Sequence, residues 1–460
     1  MDEGGAREFP SVTHAATGTD AYGEKTTPEA DAGQLDLFGM PAEASVPAPA
    51  SQAAPGSNSG SNSGSNSGIA SGTNRTRQAR NAFAASLWEE EDEPEATEAE
   101  TEPEAKTNAE SREAPTAAPK KRRAREVLAA EPSAEILEIA AGLPPQIHLG
   151  TSTWSFPGWK GIVYGDDYSN SKLSRDGLSA YGLHPLLRTV SIDRSFYAPL
   201  TVTDYLRYAQ QVPEHFRFII KAPALVTDAT VRAERGEPVS LNPCFLNAQL
   251  AADEFVRPCL DGLGAKAGAL VFQFSPLPDQ MLADPAGFIE QLAAFLAALP
   301  PLPEGTRYAV EIRDACLLTP RFIRTLKAAG VRYCVGIHAR MPEPLRQAAA
   351  LALLDGEPAG PLIVRWSLHG GFKYEQAKAK YEPFDRLVDE DPATRTALAE
   401  LAARYAIAGQ PVVIAVNNKA EGSAPLTCVK LARAIIEAYV RLKDESAGGG
   451  AHAAPAHEPA

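Results

Sequence analysis

The stretch YAVEIR, residues 308–313, runs through Tyr308, Ala309 and Val310 and then ends on Glu311 and Arg313. Near-continuous apolar runs of this length mark strands buried on both faces, as in a parallel sheet covered by helices. Seven more runs of the same kind follow the same rule: IHLGTS (147–152), TVSID (189–193), FRFIIKA (216–222), GALVFQF (268–274), VRYCVGI (331–337), LIVRWS (362–367) and PVVIAV (411–416). Between them lie stretches of helical composition, including residues 201–212, 285–299, 320–330 and 392–406, with a closing helix at 426–443. Eight strand–helix units in roughly 300 residues predict an α/β fold, a (β/α)8 TIM barrel, with a doubly wound sheet as the alternative.

Composition divides the 460 residues. Residues 1–146 carry 12 Lys plus Arg against 25 Asp plus Glu, a net of -13, so only -1 of the total of -14 belongs to the remainder. The first part is rich in Ala, Pro, Gly, Ser and Glu and contains the repeat GSNSGSNSGSNSG at 56–68, a composition that cannot offset the entropy of ordering. The expected organisation is a disordered acidic tail over 1–145, a barrel over 146–443 and a disordered end over 444–460. Near-neutral charge in the barrel part argues against a broad nucleic-acid face, and the basic run KKRRAR (120–125) reads either as a nucleic-acid contact or localisation signal or as a solvated counterweight to the acidic stretch before it. The five cysteines form no C-x-x-C pair, so neither zinc nor a redox dithiol is indicated. No leader pattern and no membrane-length apolar run are visible, which predicts a soluble cytoplasmic protein with no membrane partner.

In such barrels chemistry sits where strands end. The residues at those ends are Ser152 and Trp154, Asp193 and Tyr197, Lys221, Gln273, Glu311 and Arg313, His338, Arg365 and His369, and Asn417 and Asn418. Charges beside apolar walls cost several kcal/mol each unless paired, so they either close a salt-bridge ring that holds strand ends or serve a ligand.

The motifs GTSTW (150–154), TVSIDRSFY (189–197), FRFIIKAP (216–223), LVFQFSP (270–276), AVEIRD (309–314) and VNNKAEGSAP (416–425) resemble, in order and spacing, the domain-of-unknown-function 72 family of YecE-like proteins, over about residues 147–440. The resemblance implies a TIM barrel and no settled reaction. Two places depart from the family pattern. Ser191 and Asp193 stand where relatives usually carry Glu and Asn, and Arg365 and His369 lie four apart in RWSLHGG where Arg-x-His-Gly is usual.

Three chemistries fit the strand ends. A phosphate site would use the loops after the seventh and eighth strands, with Gly370, Gly371, Gly422 and Ser423 leaving backbone N–H groups accessible and Lys373 and Lys419 supplying charge. A divalent cation would take Asp193, Glu311, His338 and His369, although these share no ligand spacing; no cofactor is required and no metal ligand is assigned. Metal-free acid–base chemistry would use Glu311, tuned by Arg313 or Lys221, with Lys221 as an alternative Schiff-base nucleophile. The candidate catalytic set is thus Glu311, Lys221, Asp193, Arg313 and His369. The candidate substrate contacts are Trp154, Tyr197, Gln273, Arg365, Gly370, Gly371, Asn417, Asn418, Gly422 and Ser423. The expected function is an enzyme, a hydrolase or lyase, on a phosphate-bearing small molecule or DNA, against a non-catalytic adaptor barrel or a metal-dependent sugar or nucleic-acid enzyme.

QLDLF, formed by Gln34, Leu35, Asp36, Leu37 and Phe38, resembles the short peptide by which bacterial proteins dock on the replication sliding clamp. Leu37 and Phe38 would fill an apolar groove while Gln34 hydrogen-bonds at its edge, which makes the clamp an expected partner.

Overall fold

A computed structural model of the chain describes residues 126–232, 238–355 and 360–448. All eight expected strands form: β1 Ile147–Thr151, β2 Leu187–Ile192, β3 Arg217–Lys221, β4 Ala267–Gln273, β5 Arg307–Glu311, β6 Arg332–Ile337, β7 Leu362–Trp366 and β8 Val412–Val416. They pair in the order β1-β8-β7-β6-β5-β4-β3-β2 and close on themselves, every neighbour parallel. Closure leaves no sheet edge, and the crossover helices cover the outside, as a TIM barrel requires.

Local chemistry explains the helix starts. Pro285, Pro320 and Pro392 occupy the first turns of Pro285–Ala297, Pro320–Ala328 and Pro392–Ile407, where the missing N–H costs nothing. The side chains of Asp284, Thr319 and Asp391 cap the same three helices by accepting backbone N–H groups. Helix Val202–Gln211 begins in a capping box between Thr201 and Asp204.

Two boundaries differ from the sequence reading. A helix, α1 (Ala134–Gly142), precedes β1, with Ile139 and Leu143 buried and Glu135 ion-paired to Arg433. Val127 is buried as well, so the stretch from 126 to 145 packs on the barrel instead of belonging to the tail. The last helix, α2, runs Ala424–Gly448, past Lys443. A short antiparallel hairpin, Thr230–Arg232 with Pro238–Leu241, was not expected from its polar sequence. The tail, including Gln34–Phe38 and the basic run 120–125, lies outside the described residues, as does everything after 448. Among the described residues no helix is long and apolar enough to cross a membrane.

The core has two layers. The large one lies between strands and helices and contains Leu149, Val190, Phe218, Phe272, Val310, Tyr333, Trp366 and Ile414. The small one fills the barrel interior with Ile219, Ala269, Val271, Ala309, Cys334, Ile363, Val413 and Ala415. Side chains alternate along a strand, so the next inward position after this small layer is where the chemistry begins.

Candidate functional site

Counting two residues on from the interior layer leads from Ile219 to Lys221, from Val271 to Gln273, from Ala309 to Glu311 and from Ile363 to Arg365. The period of two therefore sets a polar layer directly above an apolar one at the strands' C-terminal ends. Register brings the members level: Gln273 on β4 lies beside Glu311 on β5, and Gly336 on β6 beside Arg365 on β7.

These side chains form one network. Glu311, fully buried, has Oε1 2.8 Å from Arg313 Nη2 and Oε2 2.8 Å from Arg365 Nη1. Gln273 Oε1 accepts from Arg365 Nη1 at 2.7 Å and from Arg313 Nη2 at 3.1 Å. The second Arg365 nitrogen, Nη2, donates to Asp193 at 2.9 Å (Oδ2) and 3.2 Å (Oδ1). Ser191 Oγ donates to Asp193 Oδ1 at 2.5 Å, and Arg313 Nη2 lies 3.5 Å from Ser367 Oγ. Ser191 and Asp193 are thus bonded to each other, and the charge of Asp193 is met by Arg365.

The Arg313–Glu311 contact is an ion pair without hydrogen-bond geometry. Glu311 Oε1 is consequently buried with no hydrogen-bond partner, and Arg313 Nε and Nη1 and Gln273 Nε2 are buried without one as well. Burial pushes the Glu311 carboxyl up, but Arg313, Arg365 and Lys221 outweigh it and hold the group below its ordinary range, hence ionised. Burial lowers Arg313, with Arg365 adding to the effect and Glu311 opposing it. Burial also lowers Arg365, yet Asp193 and Glu311 reverse that and raise it. Arg313, Arg365 and Lys221 thus all act on the Glu311 carboxylate, and Asp193 is met by Arg365.

Lys221 Nζ lies 3.4 Å over the Phe196 ring, a cation–π contact. Ser195 Oγ bonds the Lys221 carbonyl region at 2.6 Å, tying the turn after β2 to the end of β3. Tyr197 packs edge-on against Phe196, and Trp154, 7% exposed, packs against Tyr208 at 5.2 Å.

The other expected residues divide. Asn417 Nδ2 donates to Ser152 Oγ at 2.9 Å, while Asn418 Oδ1 accepts from the Ala424 N–H at 2.9 Å at the start of α2. Gly370 and Gly371 form an exposed turn with open space at both Cβ positions, and His369 Nδ1 contacts Gly370 O at 2.7 Å. Gly422 has φ +114, and a Cβ there would lie 2.7 Å from Arg386 O and 2.8 Å from Val388 N. Its backbone faces its own chain, and Ser423 beside it is fully buried with Oγ unpartnered. The expected cradle after β8 is closed by packing, whereas the turn after β7 is open.

Asp193, Glu311, His338 and His369 do not converge as a ligand set; among the described residues no three His, Cys, Asp or Glu group to hold an ion. Both carboxylates are engaged by guanidinium groups instead. His338 is held down to about 2 by burial, then Arg313 and Arg340, and is therefore neutral.

One contributor was missed. A Cβ on Gly336 would come within 3.2 Å of Glu311 Oε1 and 3.4 Å of Arg313 Nη1, so this glycine makes room for the ion pair. A glycine inside the run VRYCVGI is itself the signal, since strand glycines often mark a close approach.

The family described as "Protein of unknown function DUF72" matches residues 148–449. Among solved structures, a DUF72 family protein of Enterococcus faecalis V583 is similar at 16% identity with a TM-score of 0.44, covering 63% of this chain and 95% of that one. A DUF72 family protein of Thermotoga maritima MSB8 is similar at 17% identity with a TM-score of 0.42, covering 65% and 99%. No curated protein matches the chain.

Proposed function

The chain belongs to the DUF72 family, whose description assigns no activity, and on that premise we propose that the barrel mouth binds and transforms a small phosphate-bearing substrate. The observation that carries the reading is Arg313: fully buried at the strand ends, with Nε and Nη1 lacking any hydrogen-bond partner. Guanidinium groups recognise planar and tetrahedral oxyanions through paired N–H donors, and a buried unsatisfied donor costs about 1–3 kcal/mol that an incoming anion relieves. The open turn at Gly370 and Gly371 adds accessible backbone at the same end of the barrel.

Roles follow from the electrostatics. Glu311, buried and held ionised, orients Arg313 and Arg365 and is poorly suited to carry a proton. Asp193 keeps 28% side-chain exposure and is the carboxylate placed to exchange protons with a bound substrate, with Lys221 as the neighbouring cation. The reaction class is hydrolysis or elimination on a phosphorylated compound, a nucleotide or a DNA end among them. The QLDLF peptide at 34–38 supports delivery of this barrel to a sliding clamp, since a tethered module raises local concentration.

The test is a thermal-shift panel of orthophosphate, pyrophosphate and nucleotides on the full chain, followed by assays for turnover of whichever compound binds. Binding lost in Arg313→Met together with turnover lost in Asp193→Asn supports the enzyme. Binding without turnover favours the adaptor, and no shift with any phosphate compound sinks the reading. For the tail, a peptide of residues 30–42 should bind purified clamp, and Gln34→Ala or Phe38→Ala should abolish that; absence of binding removes the replication link.

A further inference from the structure

The end of the barrel opposite the mouth carries a second cationic cluster that the mouth chemistry does not use. Register pairs Gly150 with Thr189 and Thr189 with Arg217, which brings His148, Arg188 and Arg217 side by side where β1, β2 and β3 begin. Both arginines are half-buried, and their partners are backbone carbonyls. Arg188 Nη2 donates to Ala140 O at 3.2 Å, and Arg217 Nη1 to Glu214 O at 2.8 Å and Phe216 O at 2.9 Å. Half-buried Arg307, at the start of β5, likewise donates to Thr306 O at 2.7 Å. Neither Arg188 nor Arg217 is ion-paired among the described residues.

The surrounding histidines respond to the positive field of the two arginines. His148 Nδ1 is buried without a partner. Burial holds the His148 ring down to about 4; a hydrogen bond to the Arg188 backbone opposes this, while the charges of Arg217 and Arg188 act with burial, and the ring is neutral. His215 is lowered by burial and by the same two arginines. A cluster of this kind, short of counter-charge, is complementary to a run of carboxylates.

The chain contains such a run. Residues 89–105, EEEDEPEATEAETEPEA, hold ten carboxylates and no Lys or Arg, and lie outside the described residues. Only residues 106–125 separate them from Glu126, a connection with a typical span of about 25 Å and an extended reach of about 70 Å. From there α1 leads the chain past the cluster itself, at the Ala140–Arg188 contact. We propose that residues 89–105 dock on the rim formed by His148, Arg188 and Arg217, as an intramolecular counter-charge. Tethering supplies an effective concentration in the mM range, so a weak electrostatic contact suffices. Docking shortens the tail and covers the rim against other polyanions.

The test uses the full chain and two variants: one with all ten carboxylates of 89–105 changed to the corresponding amides, and one carrying Arg188→Gln with Arg217→Gln. Small-angle scattering is recorded from about 0.01 M to about 1 M NaCl, which shortens the Debye length from about 30 to about 3 Å. Docking predicts a wild-type chain that is compact at low salt and expands as salt rises, while both variants are expanded throughout. An amide variant as compact as wild type overturns the proposal. So does a compact arginine variant, because the acidic run would then be neutralised elsewhere, for instance by residues 120–125. Fluorescence polarisation with a labelled single-stranded DNA oligonucleotide supplies the competing outcome. Docking predicts at least tenfold tighter DNA binding by the amide variant, and equal binding by wild type means the rim is open to nucleic acid and not covered by the tail. If the arginine variant fails to fold, the amide variant decides alone, since it alters no described residue.

Discussion

Arg365 on β7 reaches Asp193, the residue after β2, through Nη2, at 2.9 and 3.2 Å, while its Nη1 holds Glu311 and Gln273. One guanidinium thereby ties β7 to β2, β4 and β5 across the barrel mouth. Its removal takes from Asp193 its ion-pair partner and from the fully buried Glu311 its hydrogen-bonded cation, leaving Glu311 only the Arg313 pair. Breaking a buried pair by deleting one partner costs about 3–5 kcal/mol, so Arg365→Ala should lower stability by that order. Adding Glu311→Gln should recover part of the loss. Urea denaturation of the single and double variants checks this, and equal stability of Arg365→Ala and wild type would mean that the ring is not as drawn.

Acid should weaken the fold in two separable steps. His338 is ordinarily half-protonated at 6.5 but is held near 2 in the fold, so the unfolded chain binds the proton first. Its contribution is complete above 6.5 and is lost as pH falls from there toward 2, at up to about 1.4 kcal/mol per pH unit. Glu311 is lowered below 4.5, so its share is complete above 4.5 and lost only as pH falls through its lower folded value. Stability measured against pH should therefore lose one proton's slope between pH 6 and 5 in His338→Asn, and keep that slope in Glu311→Gln. The reverse pattern would contradict both assignments.

The eight strands were legible because a strand covered on both faces must be apolar along its length, and the polar residue at each end then names the mouth. Partnerships were not legible: Asp193 and Arg365 lie 172 residues apart, and no local pattern connects them. The helix α1 escaped notice because AEILEIAAG sits in a composition continuous with the acidic tail, and its start is set by one capping contact from Ser133. The glycines after β8 looked like a phosphate cradle by analogy. Gly422 instead answers to a left-handed φ and the backbone at Arg386 and Val388, a tertiary constraint invisible in sequence.

Gly336→Ala tests how tightly the charged layer is fitted. The added methyl would sit 3.3 Å from Glu311 Cγ and 3.2 Å from its Oε1, with the Glu311 side chain fully buried and unable to swing to solvent. Overpacking of this kind costs about 1–3 kcal/mol. The expected result is a loss in that range by chemical denaturation, accompanied by weaker phosphate binding because the Arg313 guanidinium is displaced. Gly305→Ala, at a turn with nothing within 4 Å but φ +86, should lose stability through backbone strain alone and leave binding unchanged.

Lys221→Met separates a ligand site from a structural ring. If the strand-end charges exist only to hold the barrel, deleting Lys221 removes one member of a balanced set and should destabilise the fold. Glu311 and Asp193, however, keep their ion pairs with Arg313 and Arg365 when Lys221 is replaced. Replacing a 5% exposed ammonium with a thioether of similar length removes a desolvation cost and keeps the contact over Phe196 apolar. Stability should therefore hold or rise, while the melting-temperature increase produced by orthophosphate, which follows RT ln(1 + [L]/Kd), should shrink. A variant that melts lower than wild type and responds to phosphate undiminished would place Lys221 in the scaffold and outside the ligand site.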